Sequence, residues 1–595
     1  MSKNKTKEKE KSFSEYKKEF HTKTDRHILE LEALLPTPSK FKLIKISNNL
    51  RIFSNEITSI VNNRLKQLKR NNTYTNLKQD YKTIKTKIDK YDKQLNKDKD
   101  TKTLNKKQIN NIKNKLKILN NNLKQTSNEL QILIKQYQLS FEDVRLLSIE
   151  IAKKYNIGSI YIRSETENIY KGVEKVLYSD GKQLHFKKKG TMPTIRAKQI
   201  ERGIVPFIDI DDKLKIKFGN TKNDKQITIS LKFKDNDTFV LDELELVKLN
   251  LTDNTINDLA VLDYIKNNTI TDTFRICYVQ IVFKEIRGVI RLFVQFVIEG
   301  KALPKKDKYG RSRHVKTKGT IGLDLGPSTF AVVSENKAFV KNLAERNNKS
   351  TLSTEKKEKY YLRKLDSSRR INNPDNYNTD GTIKKNTKTF KRKWVKTKNY
   401  KKYEYRLKEL ERKNALNRKY AINEDLNILG TFGDTVITEK NEAKKLQKKA
   451  NKTKRQEKKS IITKKDGTEI TVNKYEKKKR YGKSIKNRCP GYFNSELKKR
   501  FKVKEVNTIK FRASQYDHKN DTYTKKKLSE REHIFSDGTK VQRDMYSAFL
   551  MYCANEDLES IDRNKCNKLF NKFKINQDAY LRYIELNNIN VLNIK

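Results

Sequence analysis

The sequence predicts a multidomain α+β protein, and three changes of pattern along the chain predict it. Between Tyr81 and Gln138 apolar residues recur at spacings of three and four, the mark of a helical seam. From Leu214 they alternate with polar residues, the mark of strands. From Gly319 short apolar strands carrying single carboxylates are set among long basic stretches. A length of 595 residues suffices for roughly three to five domains.

In the helical region the seam runs through Ile84, Ile88, Tyr91 and Leu95, then through Ile109, Ile112, Leu116, Leu119 and Leu123. The polar break 96–103 (NKDKDTKT) is the expected turn, so the two runs fold back as an antiparallel hairpin. Asn48 to Leu68 before it and Phe141 to Tyr155 after it extend the helical character. After about Ser164 the period changes to two. Leu214, Ile216 and Phe218 form one strand, Ile227, Ile229, Leu231 and Phe233 another, and Cys277, Val279, Ile281 and Phe283 lead through Lys284 to Gly288 into a partner run. Such strand pairs read as a small barrel or sandwich. Lys301 to Lys318 is basic and broken by Pro304 and Gly310, which reads as a linker. Two further basic stretches, Lys384 to Lys402 around the single Trp394 and Lys444 to Lys459, lack a periodicity that would bury them; they read as RNA-facing helices or loops.

Lys plus Arg is 135 against 72 Asp plus Glu, a formal charge of +63. A surface of that charge repels itself unless a polyanion of matching size neutralises it, which makes nucleic acid the expected partner. Coding bias toward lysine explains part of the composition without explaining why the acids lag so far behind. The most apolar stretch, Val289 to Ile298, is interrupted by Arg291 and Gln295 and is about half of what a bilayer span requires. Met1 to Phe20 carries no apolar leader segment, and four cysteines without a C-x-x-C pair give neither a disulfide framework nor a metal clip. A reducing cytoplasmic compartment is expected.

Nucleotide motifs fail. Gly482-Lys483-Ser484 resembles the end of a phosphate loop, but Lys477 stands where that loop needs glycine. What remains is three carboxylates. Asp324 lies within the apolar run 320–333 (TIGLDLGPSTFAVV), Glu439 ends the strand 434–439 (DTVITE), and Asp544 opens a helix with Tyr546, Phe549, Leu550 and Cys553 on one face. Each has a structural explanation on its own, and an acid at a helix start is also a cap. Together, two strands and a helix can bring three acids to a pair of divalent cations, which take oxygen ligands and promote phosphodiester hydrolysis.

The order GLDLGPSTFAVV, ITE, QRDMYSAF resembles the split RuvC domain, with its RNase H-like fold, of the transposon-encoded TnpB proteins and the related type V CRISPR effectors. The strand pair 274–300 resembles the one that precedes the first RuvC motif, so the resemblance covers roughly 274–555. It implies an RNA-guided DNA endonuclease holding two Mg²⁺ ions on Asp324, Glu439 and Asp544, with Glu442 the alternative for the second acid. Its partners would be a structured guide RNA, of the transposon omega RNA or CRISPR RNA kind, and a double-stranded DNA target. The implied layout is an N-terminal tail and first part of a wedge-like β domain (1–47), a helical recognition lobe (48–165) and the wedge-like β-barrel domain with linker (166–316). A RuvC-like α/β nuclease domain (317–508), a degenerate zinc-knuckle-like segment (509–535), the third RuvC motif (536–560) and a tail (561–595) follow. Ser514, Gln515, Arg543 and Trp394 are the expected nucleic-acid-binding residues; Trp394 and Tyr400, aromatic residues in a basic context, are expected either to stack on bases or to pack in a core.

Two departures stand out. Where the family has a four-cysteine zinc knuckle, Ala513-Ser514-Gln515-Tyr516-Asp517-His518 keeps Ser-Gln but no cysteine, so zinc is not expected; His518 and His533 could ligate a metal with Asp517, but the expectation is that they face solvent or RNA phosphates. The family's D-R-D reads Gln542-Arg543-Asp544, which keeps the acid the metal needs. Rival readings are an RNA-guided repressor without nuclease activity, a transposase acting without RNA, and a basic RNA-binding protein in which the acids are ordinary strand and cap residues.

Overall fold

A computed structural model describes residues 12–592, apart from 102–104, 180, 220–225, 234–237, 253–254, 268–274, 301–302, 304–308, 310, 315–316, 379–380, 388, 441–454, 464–468, 476–481 and 527–529. The chain divides into two units, Met1–Gly310 and Arg311–Lys595, the boundary falling inside the basic stretch 301–318. Among the described residues no helix is long and apolar enough to cross a membrane.

The first unit opens with α1 (Phe13–Lys23), β1 (Arg26–Leu34) and five long helices: α2 (Thr37–Leu68), α3 (Asn72–Thr101), α4 (Lys106–Gln136), α5 (Phe141–Tyr155) and α6 (Ser159–Tyr178). In α2 the buried Leu43, Leu50, Phe53, Ile57, Val61, Leu65 and Leu68 fall at helical spacing and form one stripe. Each such side chain contributes about 1.5–3 kcal/mol of burial. Ser140 caps α5 and Asn105 caps α4, both in reciprocal capping boxes. Strands β2 (Ile195–Ala197), β3 (Ile204–Ile208), β4 (Leu214–Phe218) and β5 (Ile227–Lys232) follow, then helices α7 (Thr238–Thr252) and α8 (Thr255–Asn267), then β6 (Arg275–Ile286) and β7 (Val289–Glu299). The strands make one antiparallel sheet in the order β2-β6-β7-β1-β5-β4-β3. β6 and β7 join through Arg287 and Gly288, both at positive φ (52° and 76°), the backbone that a two-residue hairpin loop demands.

Three expectations for this unit are corrected. The helical region does not end near Ser164: α6 continues to Tyr178, because Ser164, Glu165 and Thr166 are buried polar residues that mask its apolar stripe. The boundary at 165/166 therefore cuts a helix. The hairpin turn is shorter than 96–103, since α3 runs to Thr101. The β domain also contains the helices α7 and α8. Its hydrogen-bonded order is open, with β2 and β3 at the edges, yet β3 touches β6, so the sheet curls toward a barrel without the ladder closing.

The second unit is built on strands β8 (Thr320–Leu325), β9 (Thr329–Val333), β10 (Ala338–Asn342), β11 (Thr435–Glu439) and β14 (Lys502–Val506). The helices α9 (Glu345–Ile371) and α10 (Lys398–Gly430) and the hairpin strands β12 (Arg455–Thr463) and β13 (Glu469–Tyr475) lie between them in sequence. The sheet order is β10-β9-β8-β11-β14: β8, β9 and β10 form an antiparallel meander, and β11 and β14 are parallel to β8. Parallel pairing needs a long crossover, which α9 and α10 supply. All five residues of β9 are buried because both faces of the sheet are covered. Ala331 and Val333 face a core with Met545, Ala548 and Phe549, whereas Phe330 and Val332 face another with Ile422, Leu426 and Phe493.

One basic stretch differs from expectation. Arg455–Thr463, inside 444–459 and beyond, is a strand of a hairpin, and 441–454 with Glu442 lies outside the described residues. The other stretch agrees with the expected loop or helix: from Lys384 to Thr397 the described residues form no helix, and α10 begins at Lys398.

Candidate active site

The register of two parallel strands brings the first two carboxylates together. Thr435 pairs with Thr320, Val436 with Ile321, Ile437 with Gly322 and Thr438 with Leu323. The next step of the same register sets Glu439 beside Asp324, both at the carboxyl ends of their strands, where parallel sheets place ligands. Parallel neighbours in register share a face. Asp324 also pairs with Ala331 of β9, and Ile437 precedes Glu439 by two, so both acids belong to the face packed against the helix Arg543–Tyr552.

That helix supplies the third. Gln542 caps it, its side-chain oxygen accepting from the Met545 N–H at 2.7 Å, and Asp544 lies in the first turn. A Cβ built on Gly322 would stand 2.0 Å from the Ala548 carbonyl oxygen, so helix and strand touch backbone to backbone. One turn before Ala548 along the helix is Asp544, and two residues beyond Gly322 along the strand is Asp324.

Electrostatics agrees. Burial pushes the Asp324 carboxyl well above the usual range, and the charges of Asp544 and Glu439 push it further against the opposing Arg543 guanidinium. Burial also raises Asp544, against Arg543, Arg531 and a hydrogen bond with Gln542, and it raises Glu439. All three acids are half-buried, and among the described residues none forms an ion pair. The donor set suits a hard divalent cation: oxygen only, partly withdrawn from water, with no neighbouring cation in contact. Among the described residues no three His, Cys, Asp or Glu side chains converge closely enough to hold a single ion, so the three acids form an open arrangement.

Two arginines flank the acids. The hairpin of β17 (Glu532–Ile534) and β18 (Lys540–Gln542) pairs Glu532 with Gln542. Continuing it, the Arg543 N–H donates to the Arg531 carbonyl at 2.9 Å, and the Arg543 guanidinium donates to the Glu530 carbonyl at 3.2 Å. Arg531 was not singled out by the sequence reading; Asp537-Gly538, with Gly538 at φ 79°, is the turn signal that would have revealed its hairpin.

The remaining predicted residues separate. Ser514 and Gln515 are half-buried in a single 3₁₀ turn before the strand Tyr516–Asp517. Trp394 belongs to another cluster: it is 39% exposed, Tyr377 meets it edge-on, and the Arg369 guanidinium lies 5.6 Å from its ring. Tyr400 is buried and its hydroxyl accepts from Arg369 at 3.0 Å, a packing role.

His518 and His533 contradict expectation, being 1% and 3% exposed. The main-chain N–H of His518 donates to the Tyr546 hydroxyl at 3.2 Å, and the same hydroxyl is hydrogen-bonded with His518 Nδ1 at 2.8 Å. His533 stacks on Tyr546 with centroids 4.7 Å apart, contacts Lys526, and has Nε2 3.4 Å from the Asp517 carboxylate. With Phe535, Phe549 and Phe570 around them, these rings make an apolar core that grips the Asp544 helix. Histidine reads as polar in sequence, and only the surrounding rings make it a core residue.

No family model matches the chain, and no curated protein matches it. Among solved structures, the chain is similar to one in a cryo-EM structure of a Cas12i–crRNA–dsDNA complex, at 12% identity, with 91% of this chain and 65% of that chain covered and a TM-score of 0.20. The chain thus spans 65% of the length of the protein it matches.

Proposed function

We propose that this chain is an RNA-guided DNA endonuclease of the TnpB and type V kind, cutting DNA at Asp324, Glu439 and Asp544 with Mg²⁺ as cofactor. The observation that carries the reading is the register that sets Glu439 beside Asp324 beneath the helix bearing Asp544. The sheet order, a three-strand antiparallel meander extended by two strands parallel to its first, supports an RNase H-like domain. The charge of +63 supports a guide RNA and a DNA target as partners.

Magnesium, when bound, lowers the pKa of water and offsets the charge of the phosphodiester under attack. The chain's own work is to hold three acids near one another, where burial and mutual repulsion outweigh the opposing charge of Arg543 and raise the Asp324 carboxyl. Arg531 and Arg543, held at the helix start by the hairpin, would take phosphate oxygens and orient the strand, which their charge effect on Asp544 supports.

The test is cleavage of plasmid DNA by the protein purified with its RNA, with Mg²⁺ and with EDTA, together with sequencing of that RNA. A structured noncoding RNA with a variable end and Mg²⁺-dependent cutting support the reading; random cellular RNA and intact plasmid overturn it. A second reading, an RNA-guided DNA-binding protein that does not cut, is favoured by the open arrangement of the acids. It predicts the same RNA with no cleavage.

A further inference from the structure

In the first unit, α5, α6 and the residues after β2 enclose a cleft of about 700 Å³, within the range of about 300–1,000 Å³ typical of small-ligand pockets. Its floor is apolar, made by Phe141, Ile149, Ala152, Ile157 and Ile162. Phe141 and Ile149 are 40% and 42% exposed, so a flat apolar group would cover surface that now meets water. Just behind that floor lies one polar atom. Thr166 is 2% exposed, and its hydroxyl has no hydrogen-bond partner. A buried hydroxyl left unpaired is costly, so a ligand that moves the floor aside enough to pair with it recovers what folding alone does not.

The rim is cationic, with Arg145, Lys153, Arg163, Lys198 and Arg202 around the opening. Arg145 pairs with Glu142, and Arg163 and Lys198 share Glu167, all as partly exposed pairs of small net worth. Lys153 and Arg202 are exposed and form no ion pair among the described residues. Five cations against two carboxylates leave an opening that attracts an anion, while the floor asks for an apolar body with one hydrogen-bonding edge. A nucleotide has this division: a flat base with polar edge atoms, joined to a phosphate.

We infer that this cleft is a pocket for one unstacked base of a bound RNA strand, with Thr166 bonding the base edge and Lys153 and Arg202 taking the adjoining phosphates. The inference rests on the RNA-binding reading above and goes beyond it, since it demands a single-stranded nucleotide at a defined place in the helical region. Stacking and apolar contact with a base are sequence-tolerant, and the Thr166 hydroxyl, able to donate and to accept, adds a polar contact to whichever base edge meets it.

The test uses the full chain with three fluorescent probes: a single-stranded RNA 20-mer, the same strand made abasic throughout, and its RNA duplex. Thr166→Val keeps the shape and removes the hydroxyl, Ala152→Trp fills the cleft, and Arg202→Glu reverses the rim. The wild type is expected to bind the base-bearing strand about tenfold more tightly than the abasic one. Ala152→Trp is expected to abolish that difference, and Thr166→Val to reduce it several-fold while raising the thermal midpoint of the RNA-free protein, since an unpaired polar atom is gone. Arg202→Glu weakens both single strands together. A 4-thiouridine strand crosslinks to residues 141–166 in the wild type and not in Ala152→Trp. If the wild type binds duplex and both single strands alike and neither pocket variant changes this, the pocket is overturned while RNA binding stands. If the wild type binds none of the three, both fall. Thr166→Val keeps the proposal falsifiable should Ala152→Trp fail to fold.

Discussion

Gly322 of β8 lies against Ala548 so closely that a Cβ added to the glycine would stand 2.0 Å from the Ala548 carbonyl oxygen and 2.6 Å from the Tyr552 nitrogen. Both are backbone atoms, so no rotamer change makes room and the helix has to lift. Gly322→Ala is expected to cost about 3 kcal/mol, the upper end for overpacking, and to stop DNA cleavage while RNA still copurifies, because Asp544 moves with the helix. Urea unfolding and a plasmid assay check it; wild-type turnover would mean that this approach does not position Asp544.

Asp324 carries the strongest repulsion among the three acids. Asp324→Asn removes one of three like charges that burial and mutual repulsion disfavour, so the variant is expected to be more stable than the wild type in EDTA. Its cleavage rate is expected to fall at least about a hundredfold. Millimolar Mg²⁺ is expected to raise the thermal midpoint of the wild type and not of the variant, since an ion that binds only the folded state stabilises it. Equal Mg²⁺ shifts in the two proteins would remove Asp324 from the metal site.

Burial lowers the His518 pKa to about 4, against 6.5 unfolded. The unfolded chain therefore takes up its proton first as pH falls. The stability due to the neutral, buried ring is complete above 6.5 and is lost between 6.5 and 4, by about 3 kcal/mol. His518→Gln is expected to flatten that part of the stability–pH curve. An unchanged slope in urea midpoints from pH 7 to 4.5 would assign the acid sensitivity elsewhere.

Asp425 of α10 is 2% exposed and accepts hydrogen bonds from Lys341 Nζ and from the Ala344 N–H, each at 2.8 Å. Ala344 precedes α9 with φ 47°, a conformation costly for a residue with a Cβ, and has no side-chain cap of its own. The carboxylate thus fixes the turn between β10 and α9. Asp425→Ala is expected to cost about 3 kcal/mol in chemical unfolding, the scale of breaking a buried pair. A loss under 1 kcal/mol would show that water replaces the carboxylate there.

Much of the second unit's sheet could be read in advance because its signals are local. The alternation around Asp324 and the apolar run to Glu439 are strand patterns, and the helical face beginning at Tyr546 needs no partner to be seen. The side-by-side placement of β8 and β11 is a long-range pairing that no window of sequence contains. Where the reading failed, polar residues were buried. Glu165 is 7% exposed and paired with Lys187, and beside Ser164 and Thr166 it hid the middle of α6. His518 and His533 read as solvent-facing in sequence because the rings that enclose them, Tyr546, Phe549 and Phe570, come later in the chain.

Because Asp324 and Glu439 meet through strand register alone, the chemistry is indifferent to how the two strands are joined. Closing a longer connection costs only logarithmically in chain entropy. Loops between them can therefore vary in length or be severed, provided that α10 still packs Ile422 and Leu426 against the sheet. Two separately expressed halves, parted between α10 and β11, should find each other and rebuild a working cutter.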